Sequence, residues 1–105
     1  MSWTIRLLPD VEKDISKLGG NQKKNVAKAI KKVAQNPLPA NEGGYGKPLG
    51  GDLAGYQKIK LKSDGIRVVY KLVQTDTQML VIVVGARADN EVYEDAKQRI
   101  AKYNL

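Results

Sequence analysis

The sequence predicts a small α+β fold: one domain over residues 1–105 in the order βααβββα, an antiparallel sheet with two N-terminal helices and a C-terminal helix. Three observations carry this. Two stretches near the start and one at the end repeat apolar residues at helical spacing. Three stretches between Tyr56 and Arg87, the last two rich in β-branched residues, are separated by turn formers. A length of 105 residues is the common size of one domain, too short for separate catalytic and cofactor modules.

Residues 2–8 alternate in part, with Trp3, Ile5 and Leu7 on one side, and Pro9 ends the run because it has no backbone donor. Its fixed φ suits a first helical turn. Asp10 and Glu12 favour the positive end of the dipole, and Val11, Ile15 and Leu18 form an apolar stripe, so a helix is expected over 9–18, ended by Gly19-Gly20. Asn21 can cap a second helix over 22–35, with Val26, Ala29, Ile30 and Val33 facing inward and Lys23, Lys24, Lys28, Lys31 and Lys32 outward.

From Asn36 to Gly55 three prolines and six glycines accompany few apolar residues, the composition of a surface loop. Gly46-Lys47 there does not make a nucleotide-binding loop, because Pro48 follows and no glycine stands five positions earlier. Strands are expected at Tyr56–Lys62, Ile66–Gln74 and Gln78–Arg87, forming an antiparallel meander. Asp89 or Asn90 can cap a final helix whose Val92, Ala96, Ile100 and Tyr103 recur at helical spacing, with Lys97, Arg99 and Lys102 toward its negative end.

Eighteen Lys+Arg against eleven Asp+Glu give a net charge of +7, which points to a polyanionic partner, nucleic acid first and an acidic protein second. The absence of cysteine excludes disulfides, thiolate metal sites and cysteine nucleophiles; the absence of histidine removes the usual general base and the usual metal ligand. Any catalysis must then use Lys, Arg, Tyr, Asp or Glu. The start, Met1-Ser2-Trp3-Thr4-Ile5-Arg6, lacks the plan of a signal peptide, and no apolar run approaches the roughly 20 residues of a membrane span. A cytoplasmic protein with no membrane association is expected.

The placement of the charges sharpens this. Asp64-Gly65 is the pair favoured in a two-residue type I′ turn. With that turn Lys62 opposes Arg67, Lys60 opposes Val69 and Lys58 opposes Lys71. Lys58, Lys60, Lys62, Arg67 and Lys71 then share one face of the hairpin, and Ile59, Leu61, Val68 and Tyr70 share the other. A three-residue turn would mix lysines with Ile66, Val68 and Tyr70 and bury charge. Cations held about 5 Å apart on rigid strands repel, and a phosphate is the anion that would compensate them. A solvated sheet face, or a docking surface for an acidic protein, accounts for the same residues.

Four segments in their order and spacing carry a resemblance: Tyr56-Gln57-Lys58-Ile59-Lys60-Leu61, Gly65-Ile66-Arg67-Val68-Val69-Tyr70, Val84-Gly85-Ala86-Arg87 and Glu91-Val92-Tyr93. With the βααβββα order around them they resemble the RelE family of toxin–antitoxin toxins over nearly the whole chain. The resemblance implies a compact α+β fold, cleavage of mRNA within the ribosomal A site, and inhibition by a RelB-like antitoxin that wraps the toxin. By position it assigns Lys58, Lys60, Arg67 and Arg87 to a catalytic cluster and Tyr93 to an mRNA base. One departure stands out: many relatives carry a basic residue between the positions of Leu49 and Gly51, where this chain has Gly50. The resemblance then implies one phosphate contact fewer.

RNA carries its own nucleophile, the 2′-hydroxyl, so cleavage needs in-line geometry, proton removal, charge stabilisation and protonation of the 5′-oxygen; neither metal nor cofactor is called for. Lys60 is the candidate base, since neighbouring cations disfavour a protonated amine; Arg67 and Lys58 would hold the non-bridging oxygens; and Arg87 would act electrostatically on the leaving group. The lysines of the second helix, with Lys62 and Lys71, are candidates for contact with RNA and ribosome phosphates. Tyr93 can stack on a base or pack its helix down. Two rival readings share the fold. One is a ParE-like toxin that inhibits DNA gyrase by binding, which would not need this cation set; the other is a degenerate member that only binds an antitoxin or RNA.

Overall fold

A computed structural model of the chain describes residues 2–86 and 88–105. Strand β1 spans Thr4–Leu7, helix α1 Pro9–Ser16, helix α2 Gly20–Ala34, strand β2 Lys47–Pro48, β3 Tyr56–Leu61, β4 Ile66–Val73, β5 Gln78–Gly85 and helix α3 Asp89–Lys102. The expected helices and strands are all present, and β2 is an addition. Helix α2 starts earlier than Asn21 would allow as a cap: Gly19 holds the cap position, and its N–H donates to the Gln22 side chain at 3.0 Å. At α3 the cap position falls to Ala88, so Asp89 and Asn90 lie inside the helix.

The five strands form one sheet in the order β1-β5-β4-β3-β2. The sheet is mixed, which corrects the expectation of an antiparallel one: β1 runs parallel to β5, with Thr4 beside Gln78 and Leu7 beside Val81. Parallel neighbours need a long crossover, and the chain from α1 through β4 supplies it. The other three pairings are antiparallel.

Strand β1 stops at Leu7 because Leu8 and Pro9 turn the chain into α1, which leaves the outer edge of β5 unpaired beyond Val81. Side chains take the place of the missing strand. Asp14 of α1 accepts from the Val84 N–H at 3.0 Å, and Arg99 of α3 donates to the Ile82 carbonyl at 3.0 Å. Asp14 and Arg99 close the arrangement with two hydrogen bonds of 2.6 and 2.9 Å. Burial without partners would be costly for each of these groups; together they satisfy one another.

Val68, Val69 and Tyr70 are consecutive and fully buried, as are Val81, Ile82 and Val83. Neighbouring residues point to opposite faces, so both faces of β4 and β5 are covered. Helix α3 packs on β4 and β5, α1 on β5, and α2 on β1 and β3. The inner side of α2 is Val26, Ile30 and Val33, as its spacing predicts, joined by Ala34, while Ala29 is only half-buried. Between α2 and β3 the chain is more structured than its composition suggests. It forms two short 3-10 turns, Ala40–Glu42 and Gly51–Leu53, around β2. The buried Tyr70 hydroxyl donates to the Pro37 carbonyl at 2.7 Å, and a Cβ at Gly46 would overlap that hydroxyl. Gly46 is therefore a close-approach glycine of this fold and not part of a phosphate cradle.

Candidate nucleic-acid interface

The hairpin of β3 and β4 carries most of the residues singled out for chemistry. Its turn is longer than Asp64-Gly65 suggests. Only Gly65 has a positive φ, 66°, whereas a type I′ turn needs both central residues there. The Asp64 carboxylate instead accepts from the Asn25 side chain of α2 at 3.0 Å, and Lys62-Ser63-Asp64-Gly65 together make a four-residue connection. The register follows: Leu61 faces Ile66, Lys60 faces Arg67, Lys58 faces Val69 and Tyr56 faces Lys71.

This corrects the expected pairs by two residues. Because side chains alternate with period two, an even shift keeps every residue on its expected face. Lys58, Lys60, Arg67 and Lys71 still share one face, but Lys60 and Arg67 are now direct cross-strand neighbours, which places their Cβ atoms about 5 Å apart. Lys62 leaves the ladder for the turn. Lys71 lies four residues from Arg67 along β4, about 13 Å, and joins no compact cluster with it.

The face is not a bare basic platform. Val69, in its middle, is fully buried, so the cations form a cluster at the β3 side and turn end of the hairpin. Lys60 is exposed, Lys58 and Arg67 are half-buried, and the Arg67 guanidinium donates to the Gly65 carbonyl at 3.0 Å. That bond draws its head toward the turn and restricts its rotamers. Gly85, the last residue of β5, stands directly across from Arg67. Arg87, two residues on, lies outside the described residues.

Tyr93 lies in the first half of α3, half-buried against the core, and its hydroxyl is buried with no partner among the described residues. Lys23, Lys24, Lys28, Lys31 and Lys32 are all exposed on α2. Lys32 places its ammonium 5.4 Å from the centre of the Tyr45 ring. Lys23 and Lys31 flank an open groove lined by Ile5, Leu7, Ile15, Val26, Ala27 and Ile30. Ile5 and Leu7 are each 37% exposed there, so the apolar side of β1 is only partly covered.

Comparison with known proteins decides the family. The family described as "ParE-like toxin of type II bacterial toxin-antitoxin system" matches residues 5–97. The mRNA interferase toxin RelE of Escherichia coli (strain K12) is 35% identical over 89 residues, covering 84% of this chain and 86% of that protein. This chain belongs to the RelE/ParE family of toxins of type II toxin–antitoxin systems. A putative RelE-like toxin protein of E. coli is 31% identical over 101 residues, 95% of this chain and 99% of that one. Among solved structures, a mutant of E. coli toxin RelE in the free state superposes with a TM-score of 0.77 at 31% identity, covering 95% of this chain and 99% of that one. A RelE mutant in complex with a peptide of the antitoxin RelB gives 0.71 at 28% identity, covering 91% and 95%.

In this toxin, α3 is anchored by pairings that its sequence does not display, and by Asp14 of α1. Arg99 reaches Asp14, 85 positions away, and also Asp10 at 3.5 Å; Lys102 and Tyr103 converge on the same Asp10. The Asp14 carboxylate holds the Arg99 guanidinium further above its already high pKa. The Tyr103 hydroxyl, followed by Lys102 and Arg99, holds Asp10 below the usual carboxylate range. Lys97 adds an ion pair of 3.4 Å to Asp52 in the loop before β3. Charge spacing along one helix cannot reveal such partners, because each lies on another element.

Proposed function

We propose that this toxin inhibits translation by cutting mRNA in the ribosomal A site, without metal or cofactor, in the cytoplasm. The observation that carries the reading is the direct pairing of Lys60 with Arg67, beside Lys58, on two rigid hydrogen-bonded strands. The RelE relative is itself named an mRNA interferase. Lys60 takes the proton from the 2′-hydroxyl, whose oxygen attacks phosphorus. Arg67 and Lys58 hold the non-bridging oxygens as negative charge builds, and the bond to the 5′-oxygen breaks. Arg87 serves the departing 5′-oxygen, mainly as a fixed positive charge, since a guanidinium parts with its proton reluctantly; the 5′-oxygen takes its proton from water, which leaves a 5′-hydroxyl and a 2′,3′-cyclic phosphate. Tyr93 lies against the flanking base. A lysine base and an arginine partner are weak acid–base catalysts, so positioning of the RNA by the ribosome supplies much of the rate, and free RNA is a poor substrate.

The solved complex of a RelE relative with an antitoxin peptide supports an antitoxin as the second partner, a RelB-like protein drawn to the +7 chain by its acidity. The test is to map mRNA ends after brief expression and, in parallel, to mix purified toxin with programmed ribosomes. Cuts inside translated codons that require ribosomes support the proposal. Intact mRNA together with loss of gyrase supercoiling activity would assign the protein to the gyrase-inhibiting branch instead.

A further inference from the structure

Strand β2 is two residues long, and it places Lys47 directly opposite Lys58 of β3. Residues so paired in antiparallel strands point to the same face, so Lys47 adds a cation from a third strand to the face of Lys58, Lys60 and Arg67. Like charges directly opposite destabilise a sheet, and neither lysine has an ion-pair partner among the described residues. Nor is β2 slack. The Leu49 N–H donates to the Tyr56 carbonyl at 2.9 Å, the Ala40 N–H to the Gly46 carbonyl at 2.7 Å, and Pro48 fixes the backbone after Lys47.

The cations thus stand in two rows. Lys60 and Arg67 make one, Lys47 and Lys58 the other, and the rows are two residues apart along β3, about 7 Å. That is close to the step between neighbouring phosphates along an RNA strand. We infer that Lys47, with Lys58, forms a second anion subsite that binds the backbone phosphate adjacent to the one cleaved. This rests on the nuclease reading above, in which Lys58 also serves the cleaved phosphate, so that it stands between the two subsites.

The experiment uses ribosomes programmed with mRNA in which a single linkage beside the cut site is a neutral methylphosphonate, and it reads single-turnover cleavage. Lys47→Ala is expected to slow cleavage of unmodified mRNA roughly tenfold or more, the size of one lost charged hydrogen bond. Lys47→Arg should restore most of it. Neutralising one adjacent linkage should slow the wild type by a similar factor and leave Lys47→Ala no slower than it already is. Two outcomes overturn the subsite: Lys47→Ala cutting as fast as wild type, or its penalty multiplying with that of every neutral linkage. The nuclease reading fails separately, when the wild type cuts nothing, and takes the subsite with it. Lys47→Met, which keeps the apolar stem, gives the same readout should the alanine variant melt earlier than wild type.

Discussion

In the proposed mechanism Lys60 and Arg67 act only as the transition state forms, one as base and the other as charge stabiliser. Replacing either by Ala should therefore lower single-turnover cleavage on saturating ribosomes by roughly 10²-fold or more, with little change in ribosome affinity. Lys62 is the internal comparison: it has the same charge and lies two residues beyond Lys60, but it stands in the turn and outside the ladder. Lys62→Ala should cost far less. Equal small losses for Lys60→Ala and Lys62→Ala, appearing only at high salt, would reduce the cluster to generic electrostatics and remove the acid–base mechanism. Tyr93→Phe should keep both fold and cleavage, because the hydroxyl it deletes has no partner among the described residues. Tyr93→Ala, which deletes the ring, should fall between Lys62→Ala and Lys60→Ala. The common face of these cations was legible in the sequence, because alternation in a strand survives an even slip of register. Their direct partners were not. They depend on the length of the turn, within which Asp64 bonds Asn25, 39 positions away.

At the scale of elements, every helix and long strand was readable from periodicity, whereas the parallel docking of β1 and the two-residue β2 were not. A strand's own pattern does not say which neighbour it takes or in which direction, and two residues carry no period. The same holds for the clamp that ties α1 and α3 to the open edge of β5. Removing one member of a buried pair leaves the other charge uncompensated, so Asp14→Asn or Arg99→Ala should destabilise the fold by about 3 kcal/mol, measured by denaturant unfolding. The end of α3 has a pH dependence of its own. Asp10 is held below its ordinary value of 3.8, so its contribution is fully present above that value and is lost as pH falls through the lowered one. The amides in the last turn of α3 should lose protection only in acid, as pH falls below 3.8, and Asp10→Asn should remove that step. Helix α2 offers a test of binding apart from chemistry. Neutralising Lys23, Lys24, Lys28, Lys31 and Lys32 should weaken ribosome binding and flatten its salt dependence without changing the single-turnover rate of bound complexes. Unchanged binding at every salt concentration would make these lysines a solvated face.

For the whole molecule, the net charge of +7 and the exposed cation cluster set how the toxin must be restrained. The partner expected to neutralise it is acidic, and two routes are open to it: covering Lys58, Lys60 and Arg67, or displacing α3 and with it Tyr93. The structure makes these routes energetically distinct. Covering the cluster leaves the protein core intact, while displacement must break the Arg99 ion pairs with Asp14 and Asp10 and uncover Val92 and Ala96, which are fully buried. Expression of the chain alone should arrest growth, and co-expression of a small acidic protein encoded beside it should lift the arrest; a chain harmless without such a partner would lose most of the support for the toxin reading. Hydrogen exchange of the complex then separates the two routes. Masking predicts slower exchange in β3 and β4 with α3 as protected as in the toxin by itself. Displacement predicts fast exchange along Asp89–Lys102, and Arg99→Ala, which weakens the clamp beforehand, should then tighten antitoxin binding. If Arg99→Ala leaves the affinity unchanged and α3 stays protected, inhibition is by cover alone.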